Sequence, residues 1–351
     1  MAARSDDADL AATAGRIDAN PLGRIMHGHR ELFHTNMLAW FFEHMPSAAD
    51  EVFRRYAAPG EGGPRRVERE RQHLDLVMHW PGRGPLAIEH KVFALPDATQ
   101  LARYEELTDA WPEPPAKVLL SAIPLGAEAG GWVWLGHAEL GALIVAALES
   151  DRSWEAETMR RYAALIGDIE ALAVRGAGTV RLDDPVWPAG RVLEALPNPQ
   201  LRTALQKLRA HCVAVEINRG VPGLAAPAHG DMSRATPLVE VLARTRADGY
   251  DVKLGWQLQG GQFRRSVTFL DESLVGRTAE ARDRRVAVAR EHPEWFAMPV
   301  GDRHGHDGRG EYNHFDPDFL YRYVKVPELS VRQLLEAARE VDEQVRGLAG
   351  R

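Results

Sequence analysis

The sequence predicts an α/β protein with two domains, and three observations support this expectation. The chain has 351 residues, which is longer than one average domain needs. In its first half, segments with helical periodicity alternate with short apolar runs typical of strands. Residues 175–199 are rich in Gly, Pro, Asp and Trp without sustained periodicity, which is typical of a linker between domains.

The first half begins with a small, polar segment that predicts a flexible N-terminus over residues 1–20. Apolar residues at three- and four-residue spacing then predict a helix over 30–42. Two alternating segments, 74–80 and 86–93, flank a Pro- and Gly-containing turn and predict a hairpin. The other expected elements are a helix at 98–111, short strands at 117–123 and 132–135, and helices at 137–148 and 155–174.

The second half predicts a separate set of helices and strands. Residues 251–259 and 262–270 form an expected hairpin around Gly260 and Gly261. Helices are expected at 201–217, 278–291 and 331–345, and a strand at 321–326. The predicted organisation is a flexible N-terminus over 1–20, a first domain over 21–175, a linker over 176–199 and a C-terminal α+β domain over 200–351.

Composition excludes several classes of protein. Apolar residues make up 45% of the chain and charged residues 26%, which is ordinary for a globular protein. The single cysteine, Cys212, excludes an internal disulfide and any zinc site built from several cysteines. The most apolar run, residues 143–148, is too short to cross a bilayer, so a cytoplasmic protein without a membrane partner is expected. A net charge of −7 excludes a uniformly basic surface but allows a local basic track for nucleic acid.

The first expected hairpin brings three charged residues together. Glu89 and Lys91 share one face of an otherwise apolar strand, and burying such groups without partners costs several kcal/mol. Asp75, on the neighbouring strand, can approach Glu89, and two close carboxylates repel unless a cation lies between them. Oxygen ligands suit Mg²⁺, with Mn²⁺ as a substitute, better than zinc. The pattern therefore predicts a divalent metal site.

Lysine is a scarce residue in this chain, which makes Lys91 informative. The chain has five lysines against 38 arginines. An amine can shift its pKa and orient or deprotonate a water, whereas a guanidinium stays protonated. The alternative is that Glu89 and Lys91 form an ordinary ion pair with a structural role only.

Three segments around these residues carry a family resemblance. The expected first helix contains the run ELFHTNMLAW from Glu31 to Trp40, the second hairpin strand contains Ile88-Glu89-His90-Lys91, and the next helix contains Gln100 and Tyr104 in a Gln-x-x-x-Tyr element. Together they resemble the PD-(D/E)XK nuclease superfamily, and the first run resembles the opening helix of bacterial members known only by that superfamily name. The resemblance covers residues 24–175. Leu74 stands where the superfamily motif has proline.

The resemblance implies a restriction-endonuclease-like αβββαβ core, with a central mixed sheet flanked by helices. Asp75 and Glu89 would bind Mg²⁺, with the backbone carbonyl of His90 as a further ligand. Lys91 would position the attacking water. Three helical residues complete the implied site: Glu31 would bind the metal through water, and Gln100 and Tyr104 match the element that RecB-like nucleases carry after the lysine strand. His34, one turn after Glu31, is a candidate contact to substrate phosphate.

The sequence thus predicts a metal-dependent nuclease that hydrolyses phosphodiester bonds, with DNA as the first candidate substrate. A role as a defence effector rests on analogy alone. A catalytically silent nucleic-acid-binding or interaction protein that retains the nuclease fold is the alternative. An unrelated metal hydrolase acting on a small phosphate ester is a third reading. The C-terminal domain is a candidate site for a homodimer or for a partner protein.

Overall fold

The computed structural model describes residues 2–26, 30–57, 65–95, 98–124, 130–188, 193–194, 196, 198–301 and 311–348. It is a mixed α/β structure with two sheets, one of which is mixed. The chain divides into two compact units. Unit 1 comprises Met1–Gly178 and Gly190–Leu205, and unit 2 comprises Thr179–Ala189 and Gln206–Arg351.

Unit 1 contains one sheet and most of the helices of the first half. Its elements are α1 (Ala2–Ala19), α2 (Pro21–Met26), α3 (Arg30–His44), α4 (Pro46–Phe53), β1 (Arg66–Arg71), β2 (Leu74–His79), β3 (Leu86–Lys91), α5 (Ala98–Asp109), β4 (Ala116–Ser121), β5 (Val133–Leu135), α6 (His137–Ala147) and α7 (Trp154–Ala173), which a π-helical turn extends to Gly178. The next helix, α8 (Pro199–Gly220), begins in unit 1 and continues into unit 2.

The sheet of unit 1 has the order β1-β2-β3-β4-β5. Strands β1, β2 and β3 pair antiparallel, whereas β3–β4 and β4–β5 pair parallel. One face, with Leu76 and Ile88, packs in a core with helices α3, α4, α6 and α7. The other face, with Val77 and Ala87, packs against Leu101 of α5. Strand β3 is therefore covered on both faces, which suits its nearly continuous apolar sequence.

Unit 2 is built on a second, antiparallel sheet. Its elements are β6 (His229–Ser233), β7 (Thr236–Ala247), β8 (Tyr250–Gln259), β9 (Gln262–Phe269), α9 (Ala279–Glu291), a 3₁₀ turn (Pro293–Phe296), β10 (Asn313–Phe315), β11 (Phe319–Lys325) and α10 (Val331–Leu348). The sheet order is β10-β11-β9-β8-β7-β6. Alternate residues of β7, β8 and β9 join Leu334 and Val341 of α10 in one core, as a sheet with one covered face requires.

Most of the expected elements are confirmed, with ends that shift by a few residues. The helix expected at 30–42 is Arg30–His44, and the hairpin strands end at His79 and Lys91. The sequence did not indicate β1, β6, β7 or β10. Strand β1 is largely charged and its side chains are mostly exposed, so it lacks the apolar alternation that marks a half-buried strand.

Two expectations about chain organisation are corrected. The N-terminal segment is helical over Ala2–Ala19, and Leu10, Ala14 and Ile17 are buried at helical spacing. The described residues of 176–199 belong to the two units instead of forming a free linker, because Val186 lies in the unit 2 core and its carbonyl accepts from Arg209 Nε at 3.0 Å. The unit boundary itself, at Gly178 and Thr179, falls inside the expected segment.

Candidate metal and active site

Strand register places the two carboxylates of the first hairpin opposite each other. The last pair in the β2–β3 ladder is Leu76 opposite Ile88, so Asp75 and Glu89 are the next positions along the two strands. Residues opposite each other on antiparallel strands share a face of the sheet. The ladder ends at this point, and the backbone N–H of His90 donates to Oδ2 of Asp75 at 2.7 Å. The Asp75 carboxylate thus accepts a hydrogen bond from a backbone N–H that lies beyond the last pair of the β2–β3 ladder.

Glu89 is a buried charged residue with only one of its oxygens satisfied. The residue is 1% exposed, and its Oε1 accepts from Nζ of Lys91 at 2.8 Å. Its Oε2 is buried and has no hydrogen-bond partner within the described residues. A hydrogen bond between Glu89 and Asp75 exists only when one of the two carboxyls holds a proton. An oxygen in this position suits a hard cation, so the residues present fit a divalent metal ion.

The electrostatics of the pair agree with that reading. Burial raises the pKa of Asp75 to about 6, although the His90 amide and the Lys91 charge oppose the shift. Burial, and then the charge of Asp75, raise the pKa of Glu89 to about 7. Burial lowers the pKa of Lys91, but the carboxylates of Glu89, Glu31 and Asp75 together outweigh that effect and the pKa is raised overall. The lysine therefore stays an ammonium ion while the carboxylates compete with protons near neutral pH.

Glu31, on α3, belongs to the same electrostatic group as Asp75, Glu89 and Lys91. Its charge raises the pKa of Asp75, Glu89 and Lys91. Its carboxylate is exposed, and among the described residues it does not form a three-ligand group with Asp75 and Glu89, whose ligand atoms would have to lie within 4.8 Å of one another. The structure thus places Glu31 near the pair without direct ligation by all three carboxylates, and a contact through water stays a prediction.

Gln100 and Tyr104 of α5 form one hydrogen-bonded pair on the carboxylate side of the sheet. Nε2 of Gln100 donates to Oη of Tyr104 at 2.7 Å, across one turn of the helix. Tyr104 is buried and packs with Val77 and Ala87, which lie two residues from Asp75 and Glu89 along the same strand face. The structure therefore places this element on the face of the sheet that carries Asp75 and Glu89.

The opposite face of β3 carries a cluster of buried histidines that the sequence did not predict. Nε2 of His90 lies 2.9 Å from Nε2 of His137 on α6, and Nδ1 of His34 lies 3.2 Å from Oη of Tyr162 on α7. The His34 and His90 ring centroids are 4.8 Å apart. Burial lowers the pKa of all three histidines, that of His137 to about 4, so the rings are neutral.

This cluster changes the interpretation of His34. Its residue is 0% exposed and its ring faces the histidine cluster, so burial disfavours the predicted contact to substrate phosphate. His137 and Tyr162 are 47 and 128 residues from their partners in sequence, and each lies in an apolar helical pattern. No local motif signals such a contact, because only the packing of α6 and α7 on the sheet creates it.

A second group with metal-ligating side chains lies in unit 2. Nδ1 of His292 is 3.2 Å from Oδ2 of Asp248 and 3.5 Å from Oε1 of Glu294. In the described part of the chain this is the one group of three such residues with ligand atoms within 4.8 Å. The three side chains are partly exposed, and the imidazole can donate a hydrogen bond from Nδ1 to a carboxylate without an ion. Their arrangement assigns no cofactor.

Comparisons with known proteins do not identify this chain. No family model, curated protein or solved structure matches it. Among the helices of the described residues, none combines the length and apolar character needed to cross a membrane.

Proposed function

We propose that this chain is a metal-dependent phosphodiesterase that cuts nucleic acid, with DNA as the first candidate substrate. The observation that carries the proposal is the Asp75–Glu89 pair, in which two largely buried carboxylates face each other at the end of a ladder and Oε2 of Glu89 has no described partner. In an ion pair with a structural role the carboxylate oxygens have hydrogen-bond partners, whereas in a metal site carboxylate oxygens remain available to bind the ion.

The order of elements supports a restriction-endonuclease-like core for unit 1. From α3 to β4 the chain runs helix α3, the short helix α4, three strands, a helix and a strand. With α4 as an added helix, this is the αβββαβ order of the superfamily that the sequence resembles. The central sheet is mixed and carries helices on both faces. The same proposal includes a cytoplasmic location and a role in defence, which rest on sequence reasoning and analogy.

The residues of the site would divide the work as follows. Asp75 and Glu89 would hold Mg²⁺ or Mn²⁺. The N–H and C=O of one strand residue leave the same edge of the strand, so the His90 carbonyl lies on the edge where its N–H meets Asp75. When bound, the ion lowers the pKa of a water that it holds, and its positive charge stabilises the negative charge on a phosphoryl oxygen. Glu31 would contribute through water.

Lys91 is suited to hold the attacking water. Its raised pKa keeps it an ammonium ion, so it donates hydrogen bonds and fixes the position of an oxygen. Neutralising Glu89 with a cation would remove the main charge that raises the pKa of Lys91, which would make its proton easier to release. Gln100 and Tyr104 would help place the substrate from the α5 side, where their side chains form one hydrogen-bonded unit.

One observation favours the catalytically silent alternative. The 2.8 Å contact between Lys91 and Glu89 neutralises that carboxylate without any metal. In that case the chain would bind nucleic acid or a protein partner without cutting.

A cleavage assay separates the two functions. Labelled linear, circular and single-stranded DNA, RNA and a small phosphate ester would be incubated with Mg²⁺, Mn²⁺ or EDTA. Asp75→Asn and Lys91→Ala should abolish cleavage. The matched control is Lys117→Met. Lys117 is a buried lysine on the same face of the sheet, in the neighbouring strand β4, but its ammonium group pairs with Asp109 and not with Glu89.

We expect metal-dependent cutting of nucleic acid by the wild type and by Lys117→Met. Inert wild-type protein on every substrate, with melting curves that show a folded chain, would favour the silent alternative. Cleavage of the small ester alone would indicate a metal hydrolase of another kind.

A further inference from the structure

Unit 2 carries a column of aromatic side chains on the sheet face opposite its core. Register and alternation place the members on one face. They are Phe315, Phe319, Tyr321 and Tyr323, and we call them the aromatic column. The ring centroids of Phe315 and Tyr321 are 5.6 Å apart with an interplanar angle of 12°, and Tyr321 is 6.3 Å from Tyr323.

The hydrophobic core of unit 2 does not explain this column. The intervening residues Leu320 and Val324 point to the other face and join the core with α10. Phe315 is 51% exposed, and Phe319 and Tyr323 are only partly buried. Exposed aromatic rings in contact with each other on a sheet are costly in water and commonly mark a binding surface.

The turn that carries Phe315 is held firmly. Nη1 of the fully buried Arg285 donates to the carbonyl of Pro317 at 2.6 Å, and its Nη2 donates to Oδ1 of Asp316 at 2.9 Å. The amide of Gly276 also donates to the Pro317 carbonyl at 2.8 Å. The column is therefore organised before any ligand binds, which lowers the entropy cost of binding.

The charge around the column is mostly positive. The Arg264 guanidinium lies 4.7 Å from the centroid of Tyr321 and is oriented by Oε1 of Gln262. The same face of β7, β8 and β11 carries four more cations and two carboxylates, in a chain whose net charge is −7. These cations are Arg244, Arg246, Lys253 and Lys325, and the carboxylates are Glu240 and Asp251. This face therefore carries net positive charge although the chain as a whole is negative, and it is complementary to an anion with planar groups.

We propose that the aromatic column binds single-stranded nucleic acid, with bases stacked on Phe315, Phe319 and Tyr323 and phosphates near Arg264 and Lys253. Aromatic platforms beside cations fit single strands, because a duplex hides the base faces that stack. Nucleic acid as the occupant follows from the charge and also rests on the proposed function. The column would then select single-stranded substrate for the chain.

Binding can be tested without cleavage. Fluorescence anisotropy would follow labelled oligothymidylate, oligouridylate and a DNA duplex of about the same length on the full chain carrying Asp75→Asn, in EDTA. Phe315→Ala and Tyr323→Ala should each weaken single-strand binding by roughly 5- to 150-fold, since stacking contributes about 1–3 kcal/mol per base. Trp154→Ala is the matched control, because Trp154 is 72% exposed but lies in unit 1.

A second measurement guards against loss of folding in the variants. Ultraviolet crosslinking of bound oligonucleotide to the Asp75→Asn chain, followed by mass spectrometry, should identify peptides from residues 313–325. Crosslinks confined to other parts of the chain would overturn the proposal. So would equal affinity for duplex, no binding of any oligonucleotide, or unchanged binding by Phe315→Ala.

The outcomes distinguish this inference from the proposed nuclease function. Single-strand binding that needs Phe315, in a chain that cuts nothing with Asp75 intact, would refute the nuclease and keep the column. Metal-dependent cleavage, together with single-strand binding that is unchanged in Phe315→Ala and Tyr323→Ala, would refute binding at the aromatic column and support the nuclease function.

Discussion

Removing one carboxylate of the Asp75–Glu89 pair should stabilise the metal-free protein while it removes metal binding. In the substitution Asp75→Asn, the amide oxygen can still accept from the His90 N–H, which the wild-type carboxylate meets at 2.7 Å. The negative charge that raises the pKa of Glu89 disappears. Two buried carboxylates this close repel each other in the metal-free protein, so the variant should be more stable than the wild type in EDTA.

The size of the effect follows from the pKa shifts. The pKa of Asp75 is raised from 3.8 to about 6, and that of Glu89 from 4.5 to about 7. At about 1.4 kcal/mol per pKa unit, ionising either buried carboxyl costs the fold on the order of 3 kcal/mol. The two shifts share the same repulsion and do not add. We therefore expect Asp75→Asn to stabilise unit 1 by roughly 1–3 kcal/mol at pH 8.

The sign of the pH dependence follows from the direction of the shifts. A carboxyl with a raised pKa binds more protons in the folded than in the unfolded state. The contribution of these two carboxyls to the free energy of unfolding is therefore complete below about pH 4 and is lost as pH rises to about 7. This contribution should be weaker in Asp75→Asn. Adding Mg²⁺ at pH 8 should stabilise the wild type but not the variant.

Thermal melting in EDTA between pH 5 and pH 8 measures these differences. The control is Asp109→Asn, whose carboxylate pairs with Lys117 and is 61% exposed, so it should follow the wild-type pH dependence. The reasoning is refuted if Asp75→Asn melts below the wild type at pH 8, or if the two proteins show parallel pH profiles.

Three further predictions concern strand β3 and the histidine of α6 that packs against it. Calorimetric titration with Mn²⁺ should show affinity that rises between pH 6 and pH 8 in the wild type and is lost in Glu89→Gln, because the ion must displace protons from a pair with pKa values of about 6 and 7. Unchanged affinity in that variant would exclude Glu89 as a ligand. Lys91→Arg should keep metal binding but lose most cleavage, since a guanidinium does not release a proton, and wild-type rates would contradict a specific role for the amine. His137→Ala should cost roughly 2–4 kcal/mol in denaturant unfolding, because it leaves a cavity and deprives His90 Nε2 of its 2.9 Å partner; a loss under about 0.5 kcal/mol would show that the histidine cluster contributes little.

The centre of the candidate site could be read from the sequence because its residues lie close together along one hairpin. Alternation alone placed Glu89 and Lys91 on one face, and a short turn fixed Asp75 on the neighbouring strand. The register confirms the facing arrangement of Asp75 and Glu89. The alternation of side chains along a strand and the geometry of the turn determine such contacts, so they can be predicted without knowledge of the tertiary fold.

The rest depended on packing between distant elements. His34, His90 and His137 meet only because α3 and α6 pack on the same face of β3. Helix α1 escaped prediction because small residues such as Ala14 give a weak apolar stripe. The aromatic column likewise needs the pairing of β10 with β11, which places Phe315 opposite Phe319.

The most direct test of the central claim is a crystal structure of the chain grown or soaked with Mn²⁺, examined by anomalous scattering. We expect a peak about 2.1 Å from carboxylate oxygens of Asp75 and Glu89, close to the distance expected for Mg²⁺. A peak confined to Asp248, His292 and Glu294, or no peak near Glu89 at millimolar Mn²⁺, would contradict it.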